Sequence, residues 1–311
     1  MRYHNRFVAA TAAMGLFALT SLAQGRTTTA MSGSRSGADF PATPSQLSLQ
    51  TAVVFVGRVV DVEKDIVFVS PYRGAPKEQK VEYKIATVRI EESLIGGKGL
   101  TQFRVGFPAD ASISALPPLP GRGPTTLRPD QEGCFFLNPH HEGEFYVLAY
   151  GGPLAKNDKG HAKELEEIKK VAKILDDPVA ALKAKDLEDR FRAASVLIER
   201  YRTNRTGRPS NREPIPEEEN KLILALMLEL PWQPKDAKPR PASDPVAPSR
   251  SALWYSIQQD LTGFKQPTTP PPRVVGDPPA APADRNKFME DATNAYLKDN
   301  IDKIKLKGFT R

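Results

Sequence analysis

The residue types that bind metals occur together at one place in the sequence, His140-His141-Glu142. Two imidazoles that share a metal ion lie four residues apart on a helix or two apart on a strand, whereas adjacent side chains point in different directions. Asn138 and Pro139 precede the run and a glycine follows it, which is loop composition. The spacing predicts a hairpin loop without a metal, and a metal-dependent site assembled from loops is the alternative that these residues leave open.

A second run that suggests ligand chemistry is Gly96-Gly97-Lys98-Gly99. A P-loop needs Ser or Thr directly after the lysine, and Gly99 stands there. The glycines favour a tight turn between two strands instead. The chain also contains no Gly-x-Ser-x-Gly motif for a nucleophile. We therefore predict no catalytic residues and no cofactor, and the sequence favours a protein without enzymatic activity.

The densest basic stretch is a candidate for contact with an anion or a partner. Its candidate residues are Arg190, Arg192, Arg200, Arg202, Arg205 and Arg208. Acidic residues such as Asp189 and Glu199 dilute the charge, so a solvated helix face is the competing interpretation. The net charge of the whole chain is +7 with 37 acidic residues. This mild excess of base favours weak attraction to anionic surfaces and does not by itself indicate nucleic-acid binding.

The first 23 residues have the pattern of an export signal. Two arginines precede an apolar run from Phe7 to Leu22, and Ser21 and Ala23 are small residues at the positions that a signal peptidase reads. The run is shorter than the roughly 20 residues of a membrane span. We predict a signal peptide over 1–23, a periplasmic or extracellular protein, and no stable membrane insertion after cleavage. An uncleaved anchor is the alternative.

Cysteine use limits how the fold is stabilised. Cys134 is the single cysteine, so the chain cannot form an internal disulfide even in an oxidising compartment. It begins the apolar run Cys134–Leu137, which predicts a buried thiol in a strand. Apolar burial must therefore stabilise the fold.

Residues 46–154 have the two-residue periodicity of strands, and they follow a leader over 24–45 that is rich in Ser, Thr and Gly. The predicted strand segments are 51–60, 66–69, 81–90, 103–107, 134–137 and 145–150. The alternation changes phase between Ile85 and Ala86, which predicts a β-bulge or a strand that bends between two faces. Five prolines exclude a strand between 109 and 130. This number of strands fits a small barrel.

Residues 157–232 change to the helical period and predict a small α-helical domain. Asp186 is a suitable N-cap, and Pro216 followed by three glutamates marks another helix start. Residues 233–283 are proline-rich linkers that contain one short helix over 251–261, and 284–311 hold a C-terminal helix. We expect both helices to dock on the helical domain through three aromatic anchors, Trp254, Phe288 and Tyr296.

Two parts of the chain resemble known folds. Ala52–Val60 and Ala86–Gly97, followed by the pair Cys134–Leu137 and Phe145–Ala149, resemble the OB-type barrel of netrin-like and metalloproteinase-inhibitor-like domains. The inhibitors reach a protease metal through an N-terminal cysteine held by disulfides. This chain lacks that cysteine, so the resemblance implies the fold and not the activity.

The helical half carries a second resemblance. Asp186–Ile198 together with Glu217–Leu230 resembles one HEAT-type helix pair. A solenoid needs about three such repeats, so the resemblance implies HEAT-like packing rather than an array. The whole arrangement is similar to that of secreted bacterial proteins without an assigned activity.

The predicted fold class is α+β, with an antiparallel OB-like β-barrel followed by a small HEAT-like α-helical domain. The predicted function is non-catalytic binding or scaffolding in the cell envelope or extracellular space. The expected partner is an unknown envelope protein or polysaccharide, and not a nucleic acid. OB-type barrels bind on a strand face and its loops, so the barrel face and the 109–130 loop are the expected contact region. The first alternative is an enzyme or enzyme inhibitor assembled around His140, His141 and Glu142, and the second is an accessory subunit that orders its tail only on a partner.

Overall fold

The chain forms a six-stranded sheet in its N-terminal half and places most of its helices in the C-terminal half, which confirms the predicted α+β class. The computed structural model describes residues 43–71, 73–109, 126–149, 152–205, 211–234, 247–265 and 282–309. The predicted signal peptide and most of the predicted leader lie outside these ranges. Within them, every helix falls short of the length or the apolar character that crossing a membrane requires.

A short helix, α1 (Pro44–Gln50), precedes the sheet and was not predicted. The N–H of Gln46 donates to the Thr43 hydroxyl at 3.3 Å, and the N–H of Thr43 donates to the Gln46 side chain at 3.0 Å. This reciprocal arrangement is a capping box, and Pro44 takes the first helical position. The sequence pattern of a capping box is present here as Thr43-Pro44-x-Gln46.

The six strands are β1 (Val53–Val69), β2 (Val81–Ile95), β3 (Gln102–Pro108), β4 (Glu132–Pro139), β5 (Tyr146–Leu148) and β6 (Leu154–Ala155). Their order is β1-β2-β3-β5-β4-β6, and β1 also pairs with β4. All of these pairs are antiparallel except β3 with β5, which is parallel. The turn from β2 to β3 contains Gly96, Gly97 and Gly99 at positive φ, as the predicted tight turn requires.

The phase change in β2 has a physical cause on both faces of the strand. Ala86 and Val88 pack into one apolar cluster with β1, β3 and β4, whereas Tyr83 and Ile85 pack into another with Phe145. The register between β2 and β3 is continuous across this point. The pairing of β1 with β2 shifts register here, between Val62↔Ala86 and Ile66↔Lys84, so the predicted irregularity is present with its extra residues in β1.

The remaining helices are α2 (His161–Asp176), α3 (Pro178–Leu182), α4 (Leu187–Arg202), α5 (Glu217–Glu229), α6 (Arg250–Ile257) and α7 (Pro282–Asn300). Two short strands, β7 (Glu213–Pro214) and β8 (Lys307–Gly308), pair antiparallel. The predicted cap of α4 is confirmed, because Asp186 accepts from the N–H groups of Glu188 at 2.8 Å and Asp189 at 3.1 Å. The predicted start of α5 after Pro216 is confirmed as well.

Two of the three predicted aromatic anchors pack on the helical core. Trp254 is 2% exposed, and the Tyr296 ring packs edge-on against it with centroids 6.0 Å apart. The prediction is wrong for Phe288, which is 39% exposed. Nine residues of helix rotate a side chain by about 180°, so Phe288 lies opposite the buried Leu297.

A shared apolar cluster joins the sheet to the helices, and Cys134 lies within it together with residues of α1, α2 and β4. The predicted buried thiol is confirmed, because Cys134 is 0% exposed. Burial, with a smaller contribution from Glu92, raises the pKa of this thiol to about 12. The thiol is therefore a small apolar group of the core and not a nucleophile.

Candidate functional site

Two of the arginines predicted to contact an anion form ion pairs with carboxylates of neighbouring helices. The Arg190 guanidinium makes a two-pronged contact with Glu229, at 3.0 and 2.8 Å. This contact is the main cause that raises the pKa of Arg190. Arg192 pairs with Glu167 of α2. An external anion would have to compete with these carboxylates.

Two more arginines of this stretch are directed into the fold. Arg200 is 7% exposed, and its Nη1 donates to backbone carbonyls at the end of α1. Arg202 pairs at 2.6 Å with Asp260, whose side chain is 1% exposed. Arg205 also has an interaction partner, and Arg208 lies outside the described residues. The six residues therefore do not form one free basic face, and their contact role stays a prediction.

The loop before β5 holds the end of β1 through the carboxylate of Glu142. The N–H of Ser70 donates to this carboxylate at 2.8 Å, and the Lys80 ammonium donates to it at 3.0 Å. The Ser70 backbone, then its side chain and Lys80, lower the pKa of Glu142 to about 2. We call Ser70, Lys80, His140 and Glu142 the loop clamp, because they tie the β1–β2 connection to the β4–β5 connection.

His140 supports the same loop from inside. Its Nδ1 accepts from the N–H groups of Glu142 at 3.2 Å and Gly143 at 2.9 Å, and its ring stacks on Phe145 with centroids 4.8 Å apart. Burial, followed by the neighbouring His141, lowers the pKa of His140 to about 4. The ring is therefore neutral near pH 7, and the Nδ1 lone pair is already engaged by the two backbone N–H groups. Among the described residues, no group of three or more His, Cys, Asp or Glu side chains is arranged to hold a metal ion.

A groove of about 720 Å³ lies where the described end of the 109–130 loop meets β6. This volume is within the range of about 300–1,000 Å³ that is typical of ligand pockets. Seven of the eight lining residues are polar: Thr126, Arg128, Asp130, Gln131, Glu132, Ala155, Lys156 and Asn157. We call this feature the polar groove.

The pairing of β4 with β6 builds the polar groove from two distant stretches of sequence. Gly133 lies opposite Ala155, and the N–H of Lys156 donates to the Glu132 carbonyl at 3.1 Å. A side chain at Gly133 is excluded, because a Cβ there would lie 2.5 Å from the Leu154 carbonyl oxygen. The glycine lets the two backbones approach closely enough to join the walls of the groove.

Charges of both signs lie along the polar groove. The Glu132 carboxylate contacts Arg58 on one side and the Lys156 ammonium, at 2.7 Å, on the other. The hydrogen bond from Lys156 is the main cause that lowers the pKa of Glu132. The Lys156 side chain is 70% exposed, so it can meet a ligand while it keeps this partner. Arg128 and Asp130 add an exposed cation and an exposed anion.

The described residues of the lining suit binding. They carry hydroxyl, amide, carboxylate and cationic groups, and no His or Cys is among them. Sequence reasoning included the 126–130 side in its expected contact region and missed the 155–157 side. The turn composition of Asn157-Asp158-Lys159-Gly160 indicates a loop, but nothing local indicates that this loop joins the start of β4.

No protein family model matches the chain, and no curated protein matches its sequence. The function must therefore be inferred from the chemistry of the sites themselves.

Proposed function

We propose that this chain is an exported, non-catalytic binding protein of the cell envelope that holds an acidic polysaccharide in the polar groove. The observation that carries the proposal is the composition of that groove. Thr126, Asp130, Gln131 and Asn157 can exchange hydrogen bonds with sugar hydroxyls, and Arg128 and Lys156 can pair with sugar carboxylates. Export rests on the pattern of residues 1–23.

The groove lining favours a polysaccharide over a protein partner. Protein interfaces obtain most of their binding energy from buried aromatic and other large side chains in tight pockets. Among the described residues that line the polar groove, none has an aromatic or large aliphatic side chain. A polymer with many hydroxyl groups can therefore form more hydrogen bonds with this surface than a protein partner that binds through apolar side chains.

We further propose that the sheet is a small barrel of OB type. The support is the set of pairings: β1 pairs with β2 and β4, β2 with β3, β3 with β5, and β5 with β4. Followed from strand to strand, these five pairings lead from β1 through β2, β3, β5 and β4 back to β1, which is the connectivity of a closed barrel. In this arrangement the loop clamp braces two connections at one end, and the polar groove lies beside the start of β4.

HEAT-like packing of α4 against α5 is a separate proposal about the helical half. Its support is that Phe191 and Leu197 of α4 share one apolar cluster with Ile223 and Met227 of α5. Trp254 of α6 and Leu297 of α7 join the same cluster, so the helices form one layered group around a single core.

The test of the proposed function is direct binding of the mature protein to soluble sugar polymers. Calorimetric titration with polyuronate oligosaccharides should give salt-sensitive binding, and neutral dextran oligosaccharides should bind much more weakly. The double variant Arg128→Ala with Lys156→Ala should reduce polyuronate affinity by about 10-fold or more, because each removes a charge-assisted contact.

A matched control removes the same charge elsewhere. Lys298→Ala with Lys303→Ala changes two exposed lysines of the C-terminal region that do not line the groove. This control should bind polyuronate like the unmodified protein. Equal losses in both double variants would mean that net charge, and not the groove, governs binding.

The alternative function, an enzyme or enzyme inhibitor assembled around His140, His141 and Glu142, has less support. Two of its groups are already engaged, because Glu142 binds Ser70 and Lys80, and His140 binds backbone N–H groups of its own loop. Metal analysis separates the two proposals. Stoichiometric zinc that is lost on His140→Ala would favour the alternative.

A further inference from the structure

A tight turn over residues 128–131 carries part of the polar groove lining. The Gln131 N–H donates to the Arg128 carbonyl at 3.2 Å, so Pro129 and Asp130 are the central residues of a β-turn. Asp130 has a φ of 63°, and among the described residues it is the one non-glycine with a positive φ. Proline followed by a residue at positive φ is the pattern of a type II turn, in which the second position favours glycine. Asp130 therefore occupies a position that disfavours a side chain.

The surrounding backbone holds Asp130 in this conformation. Its N–H donates to the Val59 carbonyl at 2.9 Å, and the Val59 N–H donates to the Gln131 carbonyl at 3.0 Å. The Gln131 side chain also accepts from the Arg128 N–H at 3.2 Å. These bonds use the backbone of Asp130 and not its carboxylate. Glycine would form the same bonds without the steric cost of a side chain, so the turn itself gives no reason for an aspartate.

The carboxylate of Asp130 is available to a ligand. Asp130 is exposed and lines the polar groove. Within the part of the chain that the structure describes, no side chain or N–H group forms a hydrogen bond or ion pair with this carboxylate. Glu132, the other carboxylate of the described lining, is engaged by both Arg58 and Lys156. Asp130 can therefore accept new hydrogen bonds without giving up a cation.

A carboxylate in this position matches two neighbouring hydroxyls of a sugar ring. Both of its oxygens accept hydrogen bonds, and two adjacent ring hydroxyls present two donors side by side. A uronate unit carries such a diol and a carboxylate on one ring, and the turn supplies an acceptor at Asp130 and a cation at Arg128. A polyanion without free hydroxyls would instead bring its charge to the Asp130 carboxylate and gain no hydrogen bond.

We propose that Asp130 makes the polar groove selective for an unblocked sugar diol, because its carboxylate accepts hydrogen bonds from two neighbouring hydroxyls of a uronate unit. This inference rests on the proposed function, since the polymer carboxylate pairs with Arg128 or Lys156. It adds that the groove distinguishes acidic polysaccharides by the state of their hydroxyls, and not by charge alone.

The test combines a change in the protein with a change in the ligand. Calorimetric titration compares the unmodified protein with Asp130→Gly, using polygalacturonate oligosaccharides with free hydroxyls and the same oligosaccharides after O-acetylation. Acetylation should weaken binding to the unmodified protein by about 10-fold, and Asp130→Gly should weaken binding of the free form by a similar factor. The variant should bind the acetylated form at least as tightly as the unmodified protein does, because the contact is already lost there.

Thermal unfolding separates this role from a structural one. Asp130→Gly should unfold at a similar or higher temperature than the unmodified protein, because glycine adopts a φ of 63° without strain. Asp130→Asn also tolerates this φ and keeps one acceptor oxygen, so it should retain part of the affinity. Asp299→Asn is the matched control for charge. It removes an exposed carboxylate that is not among the described lining residues, and it should leave the preference for free hydroxyls unchanged.

The possible failures of this inference and of the proposed function are distinct. Full affinity of Asp130→Gly for the free oligosaccharide, or an equal loss for the free and acetylated forms, overturns the role of Asp130. A much lower unfolding temperature for Asp130→Gly overturns it as well. The proposed function still stands in these cases if Arg128→Ala with Lys156→Ala loses affinity. An unmodified protein that binds neither form overturns both proposals.

Discussion

Replacing Arg200 with methionine should destabilise the protein strongly, because Arg200 is a structural residue of the interior. Its Nη1 donates to the Thr51 carbonyl at 2.7 Å and the Leu49 carbonyl at 2.9 Å, with a longer contact to Ser48 at 3.3 Å. These carbonyls end α1, and they lie about 150 residues from Arg200 in the sequence. Methionine keeps an unbranched apolar stem but has no N–H groups, so it leaves the carbonyls without a donor.

The magnitude follows from the two short bonds. Each buried carbonyl left without a donor costs about 1–3 kcal/mol, and removing a buried cation recovers part of its desolvation cost. We expect a loss of about 3 kcal/mol in the free energy of unfolding for Arg200→Met. Urea denaturation should show this loss as a midpoint lower by about 1 M, if the slope is about 3 kcal/mol/M and does not change.

Arg190→Met is the matched control, since it removes one arginine charge from the same helix. The partner of Arg190, Glu229, has a side chain that is 50% exposed, and such surface pairs contribute about 0–1 kcal/mol. If the two variants unfold within about 0.5 kcal/mol of each other, the assignment of Arg200 to the interior is wrong. A stable Arg200→Met protein with weakened polyuronate binding would restore its predicted role as an anion contact.

Three further predictions concern the sheet. Lowering the pH from 7 to 5 should destabilise the protein through His140, since the unfolded chain takes up a proton near pH 6.5 that the folded His140, with a pKa of about 4, resists. Because the ring is only partly buried, solvent screening should keep the loss in the free energy of unfolding to roughly 1 kcal/mol; urea midpoints at both pH values should show a smaller change for His140→Asn. Cys134 should react with a thiol reagent only as the protein unfolds, because burial raises its pKa to about 12, and rapid labelling of the native protein would contradict this. Gly106→Ala should lower the free energy of unfolding by about 1–3 kcal/mol, because the new Cβ would lie 2.3 Å from the Phe145 ring. Adding Phe145→Leu to the same chain should restore part of the lost stability, as measured by thermal unfolding.

Local signals in the sequence predicted most elements of the fold. The cap at Asp186 and the start of α5 after Pro216 were found because the donors and acceptors of a helix end lie within a few residues of each other. The capping box of α1 was equally local, at Thr43 and Gln46, and was overlooked because the stretch before it has the composition of a flexible leader. Strand alternation was predicted for the same reason. The phase change in β2 is also visible in the sequence, and the structure adds the two apolar clusters that explain it.

The candidate site could be predicted only in part. The 109–130 loop was expected to contact a ligand, and Thr126, Arg128 and Asp130 of its described end line the polar groove. The other wall, at 155–157, depends on the pairing of β6 with β4, and a two-residue strand leaves no periodic signal. The contacts of Asn220 with Leu306 and of Asp260 with Lys307 were not predicted for a related reason, since the partners lie 86 and 47 residues apart in the sequence.

The sequence by itself determined where most of the longer strands and helices lie, that no internal disulfide stabilises them, and that one thiol lies in an apolar strand. These properties depend on side chains within a few positions of each other, which the periodicity and the caps record. Only the tertiary structure decided what each arginine does. Arg190 pairs with a carboxylate 39 residues away on the surface, while Arg200 binds carbonyls about 150 residues away in the interior. The free energy of a charge depends on its burial and its partner, and both are set by packing between distant parts of the chain.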